Sequence, residues 1–219
     1  MHGGSYWFQP VSFQYAMMNK ISKMADARVV MPIYPKAPIH NVNEATAMVL
    51  ARYLYLVNEE LVSPEDIIFV GDSAGGGMVL SLLQMMRNRK YPLPEKAIVI
   101  SPWLDVSMSN PEMDKIQGVD PILHKDDLKF EGKVYADGVN VKDPLVSPIY
   151  GDLTKLPPIH LFIGTHDIFY ADAKKLNEIA FEDNVDLTMY TYPSMDHVFP
   201  AYPIPEAKVA LKKIASLIK

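Results

Sequence analysis

The chain has 219 residues, of which 49% are hydrophobic and 21% charged, with a formal net charge of −5 and no cysteine. This length is sufficient for one domain with a substantial core. An acidic balance without any Lys or Arg cluster argues against a nucleic-acid partner. The lack of cysteine excludes disulfides, thiolate metal ligands and a cysteine nucleophile, and it fits a cytoplasmic location.

Membrane insertion is not expected from the hydropathy pattern. No stretch approaches the roughly 20 uninterrupted apolar residues that a membrane span requires. The longest helix-like apolar run, residues 45–57, contains Arg52. No basic segment followed by an apolar one begins the chain, so no secretory signal is predicted.

The first half of the chain alternates between helical and extended patterns. Ser12 is predicted to cap a first helix, and Asn43 to cap a second helix over residues 44–60. Between them, the run RVVMPIY at residues 28–34 predicts a buried strand. The short apolar run at residues 67–70 predicts another strand, which passes directly into a helical pattern.

The second half continues the alternation. The predicted strands cover residues 97–100, 157–164 and 187–192, and the predicted helices cover residues 171–181 and 207–218. Strands that alternate with helices predict a mostly parallel sheet covered by helices on both faces. The carboxyl ends of such strands meet at one edge of the sheet, where ligands bind.

Residues 104–147 differ in character from the rest. They are polar, rich in Asp and Met, and show no strand pattern. They predict a cap-like insertion with a helix at residues 125–135 that lies over the sheet. Residues 1–219 are therefore expected to form a single α/β domain that carries this insertion.

The stretch that organises the chain is Gly71-Asp72-Ser73-Ala74-Gly75, a G-x-S-x-G pattern between a predicted strand and a predicted helix. This pattern in this setting is typical of a nucleophile elbow. The positions two before and two after Ser73 must be small, because a side chain there would collide with the crossing backbone. Ser73 is the predicted nucleophile.

A serine hydroxyl needs a base to remove its proton. His197 is the predicted base, because it lies in a loop a few residues after a strand. His166 is a rival at another strand end, but it immediately precedes the predicted acid and cannot easily face both that acid and the serine. His160 lies within a strand, and His40 and His124 lack a comparable position.

The base needs an orienting carboxylate, and Asp167, just past a predicted strand, is the candidate. Asp172 has the alternative role of supporting the first turn of the following helix. Asp196 adjoins His197 and has the same geometric difficulty as His166. The chain order Ser73, Asp167, His197 is the order found in α/β-hydrolases.

An oxyanion hole must stabilise the charge that develops on the substrate carbonyl oxygen. The backbone N–H of Ala74 is one predicted donor, because it follows the nucleophile. The turn His2-Gly3-Gly4 is similar to the HGGG-type motif that supplies further donors, so Gly3 and Gly4 complete the predicted set. His2 is expected to support the loop and not to perform chemistry.

With these motifs in this order, the chain resembles the hormone-sensitive-lipase-like family of α/β-hydrolase esterases. The matching segments are His2-Gly3-Gly4, Tyr34-Pro35-Lys36-Ala37-Pro38, Gly71-Asp72-Ser73-Ala74-Gly75-Gly76, Ser101-Pro102-Trp103-Leu104-Asp105, Asp120-Pro121, Ser147-Pro148, Leu156-Pro157-Pro158, Gly164-Thr165-His166-Asp167 and Tyr192-Pro193 followed by His197. The resemblance implies an α/β-hydrolase fold and hydrolysis of short- to medium-chain acyl esters without a cofactor or metal. It also implies that residues 104–147 contribute to a cap over the acyl pocket.

The chain departs from the family pattern in three places. Ser5 stands where many members have a third glycine, and bulky residues 168–170 follow the acid, which is expected to narrow the approach to it. The family also has a cap segment and three strands before the glycine turn. One of those strands lies between the predicted strands at residues 28–34 and 67–70, so its absence predicts a gap in the sheet.

The leading functional hypothesis is a serine carboxylesterase with a small-molecule ester as its partner. A truncated or inactive hydrolase-fold protein that binds a small ligand is one alternative, and a peptidase on the same fold is another. The exposed sheet edge left by the gap also suggests a homo-oligomer.

Overall fold

The computed structural model describes residues 1–219. The strands are β1 (Ile68–Asp72), β2 (Lys96–Ile100), β3 (Ile159–Gly164) and β4 (Leu187–Tyr192). The helices are α1 (Ser12–Ala25), α2 (Val42–Asn58), α3 (Ala74–Asn88), α4 (Met113–Ile116), α5 (Lys125–Ala136), α6 (Tyr170–Glu182) and α7 (Pro205–Ile218). None of the helices combines the length and the apolar character needed to cross a bilayer.

The four strands form one parallel sheet in the order β1-β2-β3-β4. Gly71 lies opposite Val99, and Val99 lies opposite Leu161 on the next strand. The two central strands are almost entirely buried, as their continuous apolar sequences require in a sheet that is covered on both faces.

Helices cover the two faces unequally. On one face, α3 is buried along most of its length and packs against β1 and β2. On the other face, α1 and α7 pack together, and Ile21 and Leu211 meet Ile98 and Phe162 of the sheet. This arrangement confirms the predicted α/β-hydrolase fold with helices on both faces.

The predicted strand at residues 28–34 is wrong. Residues 27–36 have no regular secondary structure, and the side chains of Val29 and Ile33 are exposed. A strand is stabilised by pairing with a neighbour, and no strand lies beside this segment. Two predicted caps are also displaced: Val11 precedes α1, and Asn41, not Asn43, caps α2.

A cleft of about 620 Å³ separates β1 from residues 27–32, where the sequence predicts a gap. Only Met1 pairs with this side of β1: its N-terminal ammonium donates to the Val70 carbonyl, and its carbonyl accepts the Asp72 N–H at 3.3 Å. These two bonds have the pattern of a parallel ladder, which extends no further along β1. The cleft therefore lies along an open edge of the sheet, and most of its lining residues are hydrophobic.

The open side of β1 predicts an alternating pattern of amide hydrogen exchange. Backbone groups of a strand point alternately to its two sides, so the N–H groups of Ile68 and Val70 face the cleft while those of Phe69 and Gly71 face β2. We expect Ile68 and Val70 to exchange much faster than Phe69 and Gly71. Residue-resolved exchange by NMR measures this, and equal protection of all four would contradict an open edge.

Candidate active site

Ser73 occupies a strained turn at the end of β1. Its backbone has φ 53° and ψ −125°, which lies outside the common regions for a non-glycine residue. Its N–H donates to the Ile100 carbonyl at 2.9 Å, and its own carbonyl accepts the N–H groups of Gly76 and Gly77 at the start of α3. The side chain is thereby held over the N-terminus of a buried helix, where the helix dipole favours negative charge.

The two glycines of the elbow are required by close backbone contacts. A Cβ on Gly71 would lie 2.3 Å from the Gly75 carbonyl oxygen, and a Cβ on Gly75 would lie 2.3 Å from the Met1 carbonyl oxygen. Neither contact can relax by a side-chain movement, because the obstructing atoms belong to the backbone. This confirms the steric reason for small residues on both sides of the serine.

The predicted acid and base meet in the buried interior. Asp167 Oδ2 lies 2.9 Å from Nδ1 of His197, and Asp167 Oδ1 accepts the Phe169 N–H at 3.0 Å. Asp167 is fully buried, and the edge of the Phe169 ring packs against the imidazole with 5.3 Å between centroids. Of the bulky residues after the predicted acid, Ile168 and Phe169 are thus fully buried, and the expected narrowing of the approach stays a prediction.

The alternative candidates lie elsewhere. The ring of His166 faces Asp196 across 3.9 Å, and both side chains are well exposed. Asp172 is buried and accepts a hydrogen bond from Asn110 at 2.9 Å. Of the carboxylates, only Asp167 is hydrogen-bonded to His197.

The carboxylates around His197 favour the protonated form of its ring. Burial alone would lower the pKa of His197, but the nearby carboxylates of Asp167, Asp120 and Asp72 outweigh burial and raise it. When Nδ1–H donates to Asp167, Nε2 is left as the atom that can accept a proton.

The C-terminal end of β2 anchors both the turn of the predicted nucleophile and the loop of the predicted base. The Ile100 carbonyl accepts the Ser73 N–H, and the adjacent Ser101 hydroxyl accepts the Val198 N–H at 3.0 Å. Ser73 and His197, each 7% exposed, are therefore anchored at consecutive residues of one strand end. No hydrogen bond joins their side chains in this structure, and such catalytic contacts often tighten only when substrate binds.

The glycine turn packs directly on the nucleophile. A Cβ on Gly3 would lie 2.7 Å from Cβ of Ser73 and 2.6 Å from the Asp72 carboxylate. The Gly3 N–H lies beside that carboxylate and opposes the rise in the pKa of Asp72 that burial causes, whereas the N–H groups of Gly4 and Ala74 have no acceptor within the protein. Gly4 has φ 114°, which permits the tight turn that follows.

His2 stabilises this turn from behind. Its ring stacks on Tyr34 with 4.5 Å between centroids, and its carbonyl accepts the Tyr34 hydroxyl at 2.7 Å. Burial is the main cause that lowers the pKa of His2 to about 4, so the ring is neutral near pH 7. These contacts fit the supporting role expected for His2.

Residues of the predicted insertion also contact the segment that follows the glycine turn. Tyr135 of α5 stacks on Tyr6 with 3.7 Å between centroids, and the Trp7 indole donates to the Glu131 carbonyl at 3.2 Å. The segment contains α4 and α5 and no strand.

No group of three or more His, Asp or Glu side chains is arranged to hold a metal ion.

Sequence reasoning missed the role of two residues. Neither Ser101 nor Gln14 belongs to a sequence motif that indicates its contact. Ser101 nevertheless anchors the loop of His197, and Gln14 donates to the Asp72 carboxylate at 2.6 Å. The Ser101-Pro102-Trp103 segment was a visible signal after a predicted strand, but nothing in its spacing identified its partner in the sequence.

The parallel sheet, the strained serine turn and the acid–base pair at the strand ends define a hydrolase of the α/β class. A family model described as the alpha/beta hydrolase fold matches residues 1–201. The chain is 30% identical over 218 residues to an esterase from Acinetobacter venetianus, which covers 98% of this chain and 72% of that protein. It is 29% identical over 221 residues to an acetyl-hydrolase from Streptomyces hygroscopicus, which covers 100% of this chain and 74% of that protein.

Solved structures agree with these sequence comparisons. The crystal structure of an esterase from the bacterial hormone-sensitive lipase family matches with a TM-score of 0.95 and 30% identity, covering 100% of this chain and 74% of that chain. The structure of EstE5 soaked with p-nitrophenyl butyrate matches with a TM-score of 0.94, 30% identity and the same coverage. The chain belongs to the hormone-sensitive-lipase-like family of α/β-hydrolase esterases.

The Ser101 anchor predicts a measurable loss of stability on its removal. Ser101→Ala leaves the buried Val198 N–H without an acceptor, so we expect the free energy of unfolding to fall by about 1–3 kcal/mol. Ser216→Ala removes an exposed hydroxyl on α7 and serves as the matched control, with a change within about 0.5 kcal/mol. Urea unfolding of the two variants would contradict the anchor if their midpoints coincided.

Proposed function

We propose that the protein is a serine carboxylesterase that hydrolyses short- to medium-chain acyl esters through an acyl-serine intermediate. The observation that carries this proposal is the buried Asp167–His197 hydrogen bond, anchored beside the strained turn of Ser73. Relatives of this chain named esterase and acetyl-hydrolase support the same reaction class.

In the acylation half of the reaction, Nε2 of His197 takes the proton of the Ser73 hydroxyl as Oγ attacks the ester carbonyl. The carbonyl electron pair moves onto oxygen and gives a tetrahedral oxyanion. Its collapse breaks the bond to the alcohol, which leaves with the proton from His197. Asp167 holds the ring orientation and stabilises the imidazolium while it exists.

In the second half, His197 takes a proton from water as the water oxygen attacks the acyl carbon. Collapse of the second tetrahedral intermediate releases the carboxylic acid, and the proton returns to Ser73. No cofactor or metal takes part in the proposed cycle.

The oxyanion is proposed to lie between the glycine turn and the start of α3. The N–H groups of Gly4 and Ala74 lack acceptors within the protein and are available to it. Donation from Gly3 stays a prediction, because its N–H also lies beside the Asp72 carboxylate. One such donor typically contributes about 10²–10³ in rate.

An inactive hydrolase-fold protein that binds a small ligand is the second candidate, and the cleft beside β1 is the observation that favours it. Met1, which leads into the glycine turn, is held at one end of that cleft by only two backbone bonds to the strand. A fluorophosphonate probe distinguishes the two candidates, because it labels Ser73 only where the base and the oxyanion donors are assembled. The peptidase alternative has no structural feature in its favour.

Further parts of the proposal concern the surroundings of the site. We propose residues 104–147 as a cap within a single domain of residues 1–219, supported by the contacts of α5 with Tyr6 and Trp7, just after the glycine turn. A homo-oligomer and a cytoplasmic location stay predictions. The open side of β1, on which the oligomer was predicted, faces the cleft and residues 27–32.

Removal of the nucleophile is the direct test of the mechanism. Ser73→Ala should lower kcat for p-nitrophenyl butyrate by about 10⁴–10⁶ if the triad acts as a unit. The variant should also lose fluorophosphonate labelling, whereas Ser216→Ala should keep both ester hydrolysis and labelling. Hydrolysis by Ser73→Ala at the unmodified rate would refute the acyl-serine mechanism.

The electrostatics of His197 predict the pH dependence. The base must be neutral to accept the serine proton, and its raised pKa keeps it protonated to a higher pH than an isolated histidine. We therefore expect kcat/KM to fall with decreasing pH through a midpoint above 6.5, the ordinary histidine value. Rates with p-nitrophenyl butyrate, corrected by those of Ser73→Ala at each pH, measure this midpoint. A value at or below 6.5 would contradict the predicted effect of the carboxylates.

A further inference from the structure

Asp120 is a buried carboxylate whose role the proposed mechanism does not include. It lies in the segment between α4 and α5, within the predicted insertion, and is 6% exposed. The insertion was expected to contribute to the acyl pocket. Asp120 instead points toward the turn that carries the catalytic acid.

Three backbone N–H groups hold the Asp120 carboxylate. Oδ1 accepts the N–H groups of Ile122 and Leu123 at 2.9 and 3.0 Å, and Oδ2 accepts the N–H of Ile168 at 2.8 Å. The bond to Ile168 is fully buried and joins residues 48 positions apart. One side chain thus joins the insertion to the residue directly after Asp167.

No cation is paired with this carboxylate, so its charge acts on the surroundings. The groups whose charges reach His197 are the carboxylates of Asp167, Asp120 and Asp72, and all three favour the protonated ring. Tyr202 also lies within the field of Asp120 and Asp167, and burial is the main cause of its raised pKa. Asp72 differs, because it accepts a hydrogen bond from Gln14 and lies near the N-terminal ammonium of Met1.

We propose that Asp120 is a positioning residue of the active site: it clamps the turn that carries Asp167, and its charge stabilises the imidazolium that His197 forms during catalysis. The inference rests on the proposed esterase mechanism. It gives the insertion a second role, since a displacement of residues 120–123 would be transmitted through Ile168 to the acid.

The test compares Asp120→Asn with Asp126→Asn, which removes the same charge from an exposed position on α5. NMR titration of the His197 ring measures its protonation midpoint without any need for activity. We expect Asp120→Asn to lower the midpoint by roughly 0.5–1 pH unit. We expect kcat for p-nitrophenyl butyrate to fall about tenfold or more with KM nearly unchanged. Asp126→Asn should change neither quantity.

Asp120→Glu separates charge from position. It keeps the negative charge but places the carboxylate too far out to hold all three N–H groups, so the midpoint should stay near that of the unmodified protein while kcat falls. Unchanged titration and kcat in Asp120→Asn would overturn the inference. If the unmodified protein did not hydrolyse esters, the proposed function would be refuted. The NMR titration of His197 would still test the role of Asp120.

Hydrogen exchange in the unmodified protein tests the clamp if the variants fail to fold. The N–H groups of Ile168, Ile122 and Leu123 should all exchange slowly, because each donates to Asp120. Fast exchange at Ile168 would show that the bond to Asp120 does not persist, and the inference would fail.

Discussion

The hydrogen bonds made by Ile100 and Ser101 are the constraint on which the active site depends. The Ile100 carbonyl accepts a hydrogen bond from the Ser73 N–H of the elbow. The Ser101 N–H donates to the Phe162 carbonyl of β3 at 2.7 Å, and the Ser101 hydroxyl accepts the Val198 N–H of the loop that carries His197. Ser101 is fully buried with φ 48°, so the chain turns there in a conformation that a non-glycine residue seldom adopts. The elbow after β1, strand β3 and the loop of His197 are thus all hydrogen-bonded to Ile100 or Ser101. A shift at this point would move Ser73 and His197 together.

The parallel sheet explains why so few contacts suffice. Because all four strands run in the same direction, the turn of Ser73, the turn of Asp167 and the loop of His197 begin at one edge without any long connection crossing it. The residues between β2 and β3 then contact two separate segments: Tyr135 stacks on Tyr6, just after the glycine turn, and Asp120 binds the turn that carries Asp167. Interactions among these loops therefore position groups that the sheet has already brought close.

The sequence was sufficient for the parts of the fold and site that local chemistry specifies. The elbow is visible because its glycines are required within five residues, and the acid and base are visible because each follows a strand. Ser101 could not be assigned a role, since its partner Val198 is 97 positions away and a backbone N–H leaves no mark in a sequence. The strand predicted at residues 28–34 failed for a related reason: a β-like composition describes a preference for pairing, and the neighbour that would satisfy it is not there.

The carboxylates around His197 are held mainly by N–H donors, and this choice of partner has an electrostatic consequence. Asp167 accepts from the Phe169 backbone, Asp120 from three backbone N–H groups, and Asp72 from the Gln14 amide; of the three, only Asp72 also lies near a cation, the N-terminal ammonium. A neutral donor satisfies the oxygen atoms of a buried carboxylate without cancelling its charge. A lysine or arginine would satisfy the oxygen atoms and also cancel the charge. Enough negative charge is left to outweigh the burial of His197 and raise its pKa, so the surroundings favour the protonated ring that the proposed mechanism requires.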